Sequence, residues 1–415
     1  MVSSDSGMSG SPREVGVLYS VPFDSRLEDE LQDPLITTAE GLDRAVDEGR
    51  SGGVIGLDTE FVWERTYYPR LGLIQLATGV GQCYLIDTLA VPDLASLGSL
   101  LSDRAVVKVL HDAPQDLTIL KRATGGNPVN VFDTRVAAGF CGYRASLSLQ
   151  ELLKAMMDVM LDKSETRTDW VKRPLSSRQI DYAIDDVRYL IELRERITEL
   201  AIRLGREDWL VEELSLLDRG ELYEERHPND QYLRVKGLGR VPSRDLGALR
   251  AITAWREEHA RKTDVPRRHV MQDEALVRLA RLRPRRTGSL SSIRGLPSGF
   301  ADRYGAEMID ALKEGDQAGV SKGPRPRPPS PEEEVRTEFA LAYVRGKSLK
   351  EGIDPALVGS RNEVREVVLD NEGSDGLLSG WRRAFVGDEL IRVLRGERSL
   401  RLDTKTGLPL VVENT

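Results

Sequence analysis

The sequence predicts an N-terminal α/β domain with a mixed sheet flanked by helices, followed by two smaller all-α domains. Five short apolar runs rich in branched residues predict strands, at 53–62, 71–78, 83–89, 105–112 and 130–134. Helices are predicted at 92–101 and 113–123, and beyond residue 134 the apolar spacing is helical almost to the end of the chain. A meander followed by strand–helix alternation favours a mixed sheet with helices on both faces.

Composition limits the class of protein. A chain of 415 residues predicts two or three domains, and 40% hydrophobic with 30% charged residues is typical of globular proteins. We expect no membrane span, because no run of about 18 apolar residues is present, and the polar N-terminus lacks the apolar stretch of a secretory signal. Cys83 and Cys141 are the only cysteines, which predicts a reducing, cytoplasmic location. With four histidines and two cysteines, any metal site should use oxygen ligands and hold a hard cation.

The charge is unevenly distributed along the chain. The net charge is −8, yet residues 231–330 hold 21 Lys and Arg against 11 Asp and Glu, an excess of +10 that leaves −18 for the remainder. A basic region beside an acidic one favours a nucleic-acid partner, although a solvated basic face of a helical domain explains the charges equally well.

Two breaks divide the chain into domains. The segment 221–232 mixes turn formers with charges, and the Pro-rich stretch "KGPRPRPPSPEEE" at 322–334 cannot form regular structure. The predicted divisions are a disordered tail at 1–15, an α/β domain at 16–220, a helical domain at 233–316, a Pro-rich linker at 317–331 and a second helical domain at 332–415.

Two acids stand one residue apart in "GLDTEF", residues 56–61. Because side chains alternate along a strand, Asp58 and Glu60 should point to the same face, about 7 Å apart. Like charges side by side on a half-buried strand repel each other and cost desolvation free energy. Phe61 falls on the opposite face and is expected to pack in the core.

Two more acids belong to helices. Asp116 lies in the first turn of the predicted helix 113–123, for which Asp112 is the expected N-cap. In "SSRQIDYAIDDVRYLIEL", Tyr182 and Asp186 are four residues apart and therefore share one face beside the apolar stripe. Asp185 lies about 100° further round the helix and is expected to face solvent, with Asp186 at the interior edge.

Taken singly, each acid has an ordinary explanation as a cap, a dipole partner or half of an ion pair. Four converging acids need a compensating cation, and Mg²⁺ binds few carboxylates together with waters and phosphate oxygens. Two divalent ions about 4 Å apart form a clamp for in-line displacement at phosphorus. Asp133, in "FDT", is expected to cap a strand end and not to be a fifth ligand.

The motifs "LDTEF", "HDAPQDL" and "YAIDD" resemble, in order and spacing, the exonuclease motifs of the DEDD superfamily, and Tyr182 matches its tyrosine subgroup. Residues 161–190 and the stretches "LGLIQLAT" and "FDTRVAAGF" resemble the ribonuclease D family. The resemblance covers about residues 35–210. It implies an RNase H-like fold, 3′→5′ hydrolysis of RNA to nucleoside 5′-monophosphates and two divalent metal ions, Mg²⁺ or Mn²⁺. It also implies that Asp58, Glu60, Asp116 and Asp186 are the metal ligands and that Tyr182 holds the attacking water.

The helical region resembles the HRDC module shared by RecQ-type helicases and ribonuclease D. The resemblance covers about residues 235–316, and 332–410 resembles a second, more divergent copy. Within the first, residues 261–290 carry nine Lys and Arg against three acids, which predicts salt-sensitive RNA binding without base specificity. For the second copy, docking on the rest of the protein and RNA contact are equally open.

Four further residues are candidates for substrate binding. Gln75 is placed to contact the terminal nucleotide. His111 is a candidate to contact a phosphate or a leaving group, with a structural role equally open. Lys163 and Arg167 are candidates to neutralise phosphates, or are plain surface charges.

The sequence thus predicts a metal-dependent 3′→5′ exoribonuclease that trims structured RNA such as tRNA precursors, with a monomer favoured. One alternative is a DNA 3′→5′ exonuclease on the same fold, and another is a non-catalytic RNA-binding scaffold. A scaffold has no reason to retain four acids and the tyrosine, so the enzyme is favoured. The preference for RNA over DNA rests on the resemblance alone.

Overall fold

The structure is a computed structural model, and it describes residues 34–161, 165, 168–318, 329–369 and 376–413. The predicted disordered tail and most of the predicted Pro-rich linker lie outside the described residues. None of the described helices is both long enough and apolar enough to cross a membrane.

A mixed sheet forms the centre of the N-terminal domain, as predicted, with six strands where the sequence predicted five. Its strands in chain order are β1 (Leu35–Ile36), β2 (Val54–Val62), β3 (Arg70–Thr78), β4 (Cys83–Asp87), β5 (Val107–Leu110) and β6 (Val131–Asp133). Their order across the sheet is β1-β4-β3-β2-β5-β6. Strands β2, β3 and β4 form the antiparallel meander, whereas β1, β5 and β6 run parallel to their neighbours.

Within the described sheet, strand β2 lacks a partner strand along part of one side, next to the acids. On one side β2 pairs with β3 along its length, with Asp58 opposite Gln75. On the other side β5 pairs with β2 only from Val54 to Gly56, so the described part of the sheet leaves the later half of β2 free there. In the register of the two strands Glu60 pairs with Leu73 and Phe61 pairs with Leu71. Gly72 is therefore an extra residue in β3 and forms a β-bulge.

Helices cover both faces of the sheet, and their bounds are α1 (Ala39–Gly52), α2 (Ala95–Leu101), α3 (Pro114–Thr124), α4 (Thr134–Phe140), α5 (Leu149–Met157), α6 (Ser177–Arg188), α7 (Leu190–Arg203) and α8 (Glu207–Ser215). Helices α1, α2 and α3 pack on one face through a core that includes Leu57 and Ile74. Helix α6 packs on the other face over Leu73 and Leu85, and α7 continues the same layer. The sequence analysis did not predict β1 and α1.

The first helical region has a core of its own. It comprises α9 (Leu246–Thr263), α10 (Arg267–Val270), α11 (Asp273–Leu282) and α12 (Phe300–Ala318). Leu249, Leu276 and Met308 are fully buried between these helices. This self-contained core is what an independent small helical module requires.

The second helical region shares its core with the N-terminal domain. It comprises α13 (Pro331–Glu351), α14 (Pro355–Val358), α15 (Arg361–Leu369), α16 (Gly380–Arg382) and α17 (Asp388–Leu394). The Trp381 ring lies 4.9 Å from Phe140 of α4 and stacks on Trp209 of α8 at 5.7 Å. After α17 the structure describes a β-hairpin that the helical pattern did not predict, β7 (Arg398–Leu402) and β8 (Pro409–Glu413).

Candidate active site

Three carboxylates meet at the open edge of β2. Asp58 and Glu60 come from β2 and Asp186 from α6, and carboxylate oxygens of all three lie within 4.8 Å of one another. The first two share a face because side chains alternate along the strand, as the sequence predicted. Only the packing of α6 on that face brings in the third.

Helix α6 is positioned by its cap and its apolar stripe. The Ser176 hydroxyl accepts a hydrogen bond from the Gln179 backbone N–H, while the Gln179 side chain accepts one from the Ser176 N–H, which forms a capping box. Ala183 and Val187 are fully buried on the sheet. Tyr182 and Asp186 therefore project one helical turn apart at the edge of this contact.

Asp186 and its neighbour Asp185 have different environments. A hydrogen bond from the Tyr182 side chain stabilises the Asp186 carboxylate, so the predicted pair is formed. Asp185 lies 3.4 Å from Arg188 and its side chain is 32% exposed. It is half-buried and paired, and not fully solvated as the helical position suggested.

Asp116 approaches from the other side of β2. Helix α3 starts where β5 ends, beside the free edge of β2, and there the Thr59 hydroxyl donates a hydrogen bond to the Asp116 carboxylate. Asp116 lies outside the compact three-carboxylate group, yet after burial it is the largest cause of the raised pKa of Asp58. Thr59, which the sequence analysis overlooked, thus helps to hold the fourth acid.

Burial raises the pKa of every one of these acids. The pKa of Glu60 rises to about 9, first from burial and then from the charges of Asp186 and Asp116. Burial raises the pKa of Asp186 to about 7 and that of Asp116 to about 6. These half-buried carboxylates have raised pKa values because their negative charges are poorly solvated and repel one another. A hard divalent cation with oxygen ligands would compensate these charges, so the donors fit such a metal.

Asp133, and not Asp112, bonds the backbone that leads into the helix of Asp116, whose N-cap residue is Ala113. The Asp133 carboxylate accepts hydrogen bonds from the backbone N–H groups of Asp112 at 3.2 Å and Ala113 at 2.9 Å, and it also caps α4 through Arg135 and Val136. Asp112 has a φ of 64° and forms an ion pair with Arg135. The predicted N-cap was therefore wrong, because a residue in the left-handed region cannot take the extended N-cap conformation. The predicted capping role of Asp133 is confirmed.

His111 has both ring nitrogens engaged within the protein. Nδ1 lies 2.9 Å from the Thr134 hydroxyl and Nε2 lies 3.0 Å from the Leu147 carbonyl. Burial lowers the pKa of the ring, which favours the neutral form. This geometry supports the structural role that the sequence left open.

Gln75 is completely buried, which the sequence could not indicate. It stands between Leu73 and Ala77 on the face of β3 that α6 covers, and neither polar atom of its side chain has a hydrogen-bond partner within the described chain. Its contact with the terminal nucleotide stays a prediction. An unpartnered buried carboxamide opposite Asp58 costs free energy, because its polar atoms have lost their hydrogen bonds to water.

Three further residues singled out in the sequence are Lys163, Arg167 and Phe61. Lys163 and Arg167 lie outside the described residues. Phe61 is half-buried and belongs to none of the described hydrophobic clusters. Its ring contacts Trp63, which is 53% exposed, at 6.4 Å, so the expected core packing was wrong, because β2 leaves the core near its end.

The fold and the acids together define the class of protein. The profile of the 3′-5′ exonuclease family matches residues 34–201, and that of the HRDC domain matches residues 245–312. The N-terminal domain is therefore a 3′-5′ exonuclease domain whose acidic cluster suits divalent metal ions.

Full-length relatives identify the family. A ribonuclease D of Desulfotalea psychrophila is 40% identical over 368 residues, 86% of this chain and 97% of the relative. A ribonuclease D of Gluconacetobacter diazotrophicus is 37% identical over 378 residues, 89% of this chain and 94% of the relative. The crystal structure of Escherichia coli RNase D, described as an exoribonuclease involved in structured RNA processing, is 29% identical, with a TM-score of 0.76 over 87% of this chain and 98% of that one. The chain belongs to the ribonuclease D family.

Proposed function

We propose that this protein is a metal-dependent 3′→5′ exoribonuclease that releases nucleoside 5′-monophosphates, with two Mg²⁺ or Mn²⁺ ions held by Asp58, Glu60, Asp116 and Asp186. The observation that carries the proposal is the group of half-buried acids with raised pKa values along the later half of β2, where β5 no longer pairs with it. Such a group is unfavourable unless cations or protons neutralise it.

The acids and Tyr182 have different roles at the site. Bound divalent ions would supply positive charge for the developing charge at phosphorus and lower the pKa of water. Asp58, Glu60 and Asp186 would hold the cations close to β2, and Asp116, which accepts the Thr59 hydrogen bond, would be the fourth ligand. A free phenol has a pKa near 10, so Tyr182 is a poor base at neutral pH. Its hydroxyl, beside Asp186, instead orients the attacking water.

RNA is the favoured substrate because both relatives above carry the name ribonuclease D and the Escherichia coli enzyme acts in structured RNA processing. We take tRNA precursors as the natural class, a cytoplasmic location and a monomer as parts of the same proposal. The exonuclease domain extends over 16–220 and the two HRDC modules over 233–316 and 332–415, joined by the linker 317–331. The self-contained core of α9 to α12 supports the first module as a unit.

The test uses two neighbouring acids as a matched pair. Purified protein is incubated with 5′-labelled RNA and DNA of the same sequence, with Mg²⁺, Mn²⁺ or EDTA. We expect RNA to shorten from its 3′ end with metal and not with EDTA. Asp186→Asn should lower the rate by about 10³-fold, because one metal ligand is worth several kcal/mol, while Asp185→Asn should stay within about twofold of the unmodified protein. Equal shortening of DNA would make the protein a general exonuclease, and metal-independent or absent shortening would refute the proposal.

A further inference from the structure

We propose that Arg173 is a positioning residue for Tyr182: it ties the segment 168–176 to the sheet and thereby holds the Trp170 indole against the Tyr182 ring. This role rests on the proposed function, in which Tyr182 orients the attacking water. Sequence inspection missed it, although "DWVKRPL" lies inside the stretch that resembles the ribonuclease D family.

Arg173 uses its whole guanidinium group to join three parts of the chain. Nε and Nη2 form a bidentate pair with the Asp87 carboxylate at 2.6 and 2.8 Å, at the end of β4. Nη2 also donates to the Gly72 carbonyl at 2.7 Å, and Nη1 donates to the Trp170 carbonyl at 2.8 Å. The Asp87 side chain is only 7% exposed, so this is a largely desolvated, geometrically specific pair.

The β-bulge at Gly72 makes room for this segment. A Cβ atom on Gly72 would lie 2.3 Å from the Trp170 carbonyl oxygen, a distance that real Cβ atoms do not adopt. The segment therefore packs directly on the backbone of β3, and this contact restricts how far the segment can move relative to the sheet.

Trp170 connects the segment 168–176 to the site by packing against Tyr182. Its side chain is 1% exposed and packs with Leu73, Leu85 and Ala183 beneath α6. The centroid of its ring lies 6.0 Å from that of Tyr182. The Tyr182 ring is thus supported on one side by the indole while its hydroxyl bonds to Asp186.

A second contact fixes the start of α6. The Gln179 side chain, already part of the capping box, donates to the Thr168 hydroxyl at 3.1 Å. The segment is therefore attached both to the sheet, through Arg173, and to the helix that carries Tyr182. A displacement of about 1 Å in such a support can cost up to about 100-fold in rate.

The experiment compares Arg173→Lys and Trp170→Phe in the unmodified protein and in a Tyr182→Phe background, with kcat and KM measured on single-stranded RNA. Lysine keeps the charge but loses the bidentate geometry, and phenylalanine keeps an aromatic ring. We expect each to lower kcat by about tenfold with KM unchanged. In the Tyr182→Phe background the same changes should cost less than about twofold, because the hydroxyl they position is absent. Arg196→Lys, an exposed residue paired with Glu192 on α7, is the control and should not change kcat.

Equal losses in both backgrounds, or a KM that rises as kcat falls, would overturn the inference and leave a purely structural segment. If Arg173→Lys does not fold, Trp170→Phe decides by the same criteria. If the unmodified protein is active and the Arg173→Lys and Trp170→Phe variants have the same kcat, this inference alone is overturned. An unmodified protein that does not shorten RNA with either metal overturns the proposed function and this role with it.

Discussion

The hydroxyl of Tyr67, in the loop that follows β2, donates a hydrogen bond to the carboxylate of Glu257 in α9. Glu257 is fully buried, and its other partners are Arg267 at 2.9 Å and Arg261 at 3.7 Å. The Asp264 carboxylate also accepts a hydrogen bond from the Tyr67 backbone N–H of the same loop, at 3.1 Å. The strand that carries Asp58 and Glu60 is thus connected, through its own loop, to the first helical module.

Tyr67→Phe should loosen this connection. A hydrogen bond to a charged group contributes about 1.5–3 kcal/mol, and its loss leaves the buried Glu257 with only its two arginines. We expect faster amide hydrogen exchange in residues 63–69 and around α9, with exchange in α7 unchanged. Tyr232→Phe, whose ring packs against the core of the same helical module and lies outside this network, is a suitable control. Unchanged exchange in the loop would show that the other contacts suffice.

Asp58→Asn should abolish activity and stabilise the metal-free protein. The change replaces a carboxyl group, whose pKa is raised by burial and then by Asp116, Asp186 and Glu60, with a neutral amide of the same shape. Relief of about 1 kcal/mol corresponds to roughly 2–4 °C in melting temperature. Thermal unfolding in EDTA checks this, and a lower melting temperature than that of the unmodified protein would contradict the idea that the acids repel one another.

The metal-free protein should become less stable as the pH rises. The folded pKa values of Asp116, Asp186 and Glu60 are raised to about 6, 7 and 9, above ordinary values of about 4. Between about pH 4 and 9 the folded state therefore binds more protons than the unfolded state, and unfolding free energy falls with pH. The stability that these groups contribute is full below about pH 4 and is lost as the pH passes each folded pKa.

Divalent metal should oppose this loss, because it takes the place of the protons. Melting temperatures from pH 5 to 9, with EDTA and with Mg²⁺, provide the measurement. We expect the stabilisation by metal to grow with pH. A metal effect that is constant over this range would argue against these acids as the ligands.

Trp381→Ala should destabilise the N-terminal domain itself. Trp381 is 2% exposed and packs on Phe140 and Trp209, and the neighbouring Arg382 forms a bidentate pair with Glu213 at 2.7 Å. Truncating a buried tryptophan costs about 3–5 kcal/mol. Denaturant unfolding should report this loss, with Trp381→Phe costing less. A loss below about 1 kcal/mol would mean that the second helical region adds little to that core.

The sequence alone determined the strands of the meander and the helix of Tyr182 and Asp186. Both follow from local rules, alternation along a strand for Asp58 and Glu60 and the four-residue spacing along a helix, so no distant contact is needed to predict them. The motif resemblance then indicated the family and the role of Asp116 as a metal ligand.

Tertiary structure alone decided the remaining features, which depend on residues far apart in the chain. Gln75 is buried because α6 crosses β3, more than 100 residues later in the chain. Asp133 bonds the backbone that leads into α3 because β6 lies next to β5, which no local pattern around Asp112 reveals. Arg173 reaches Asp87 and Gly72 only because a β-bulge lets the later segment approach. Local periodicity defines an element and its exposed face, whereas a partner across the sheet is selected by packing of the whole chain.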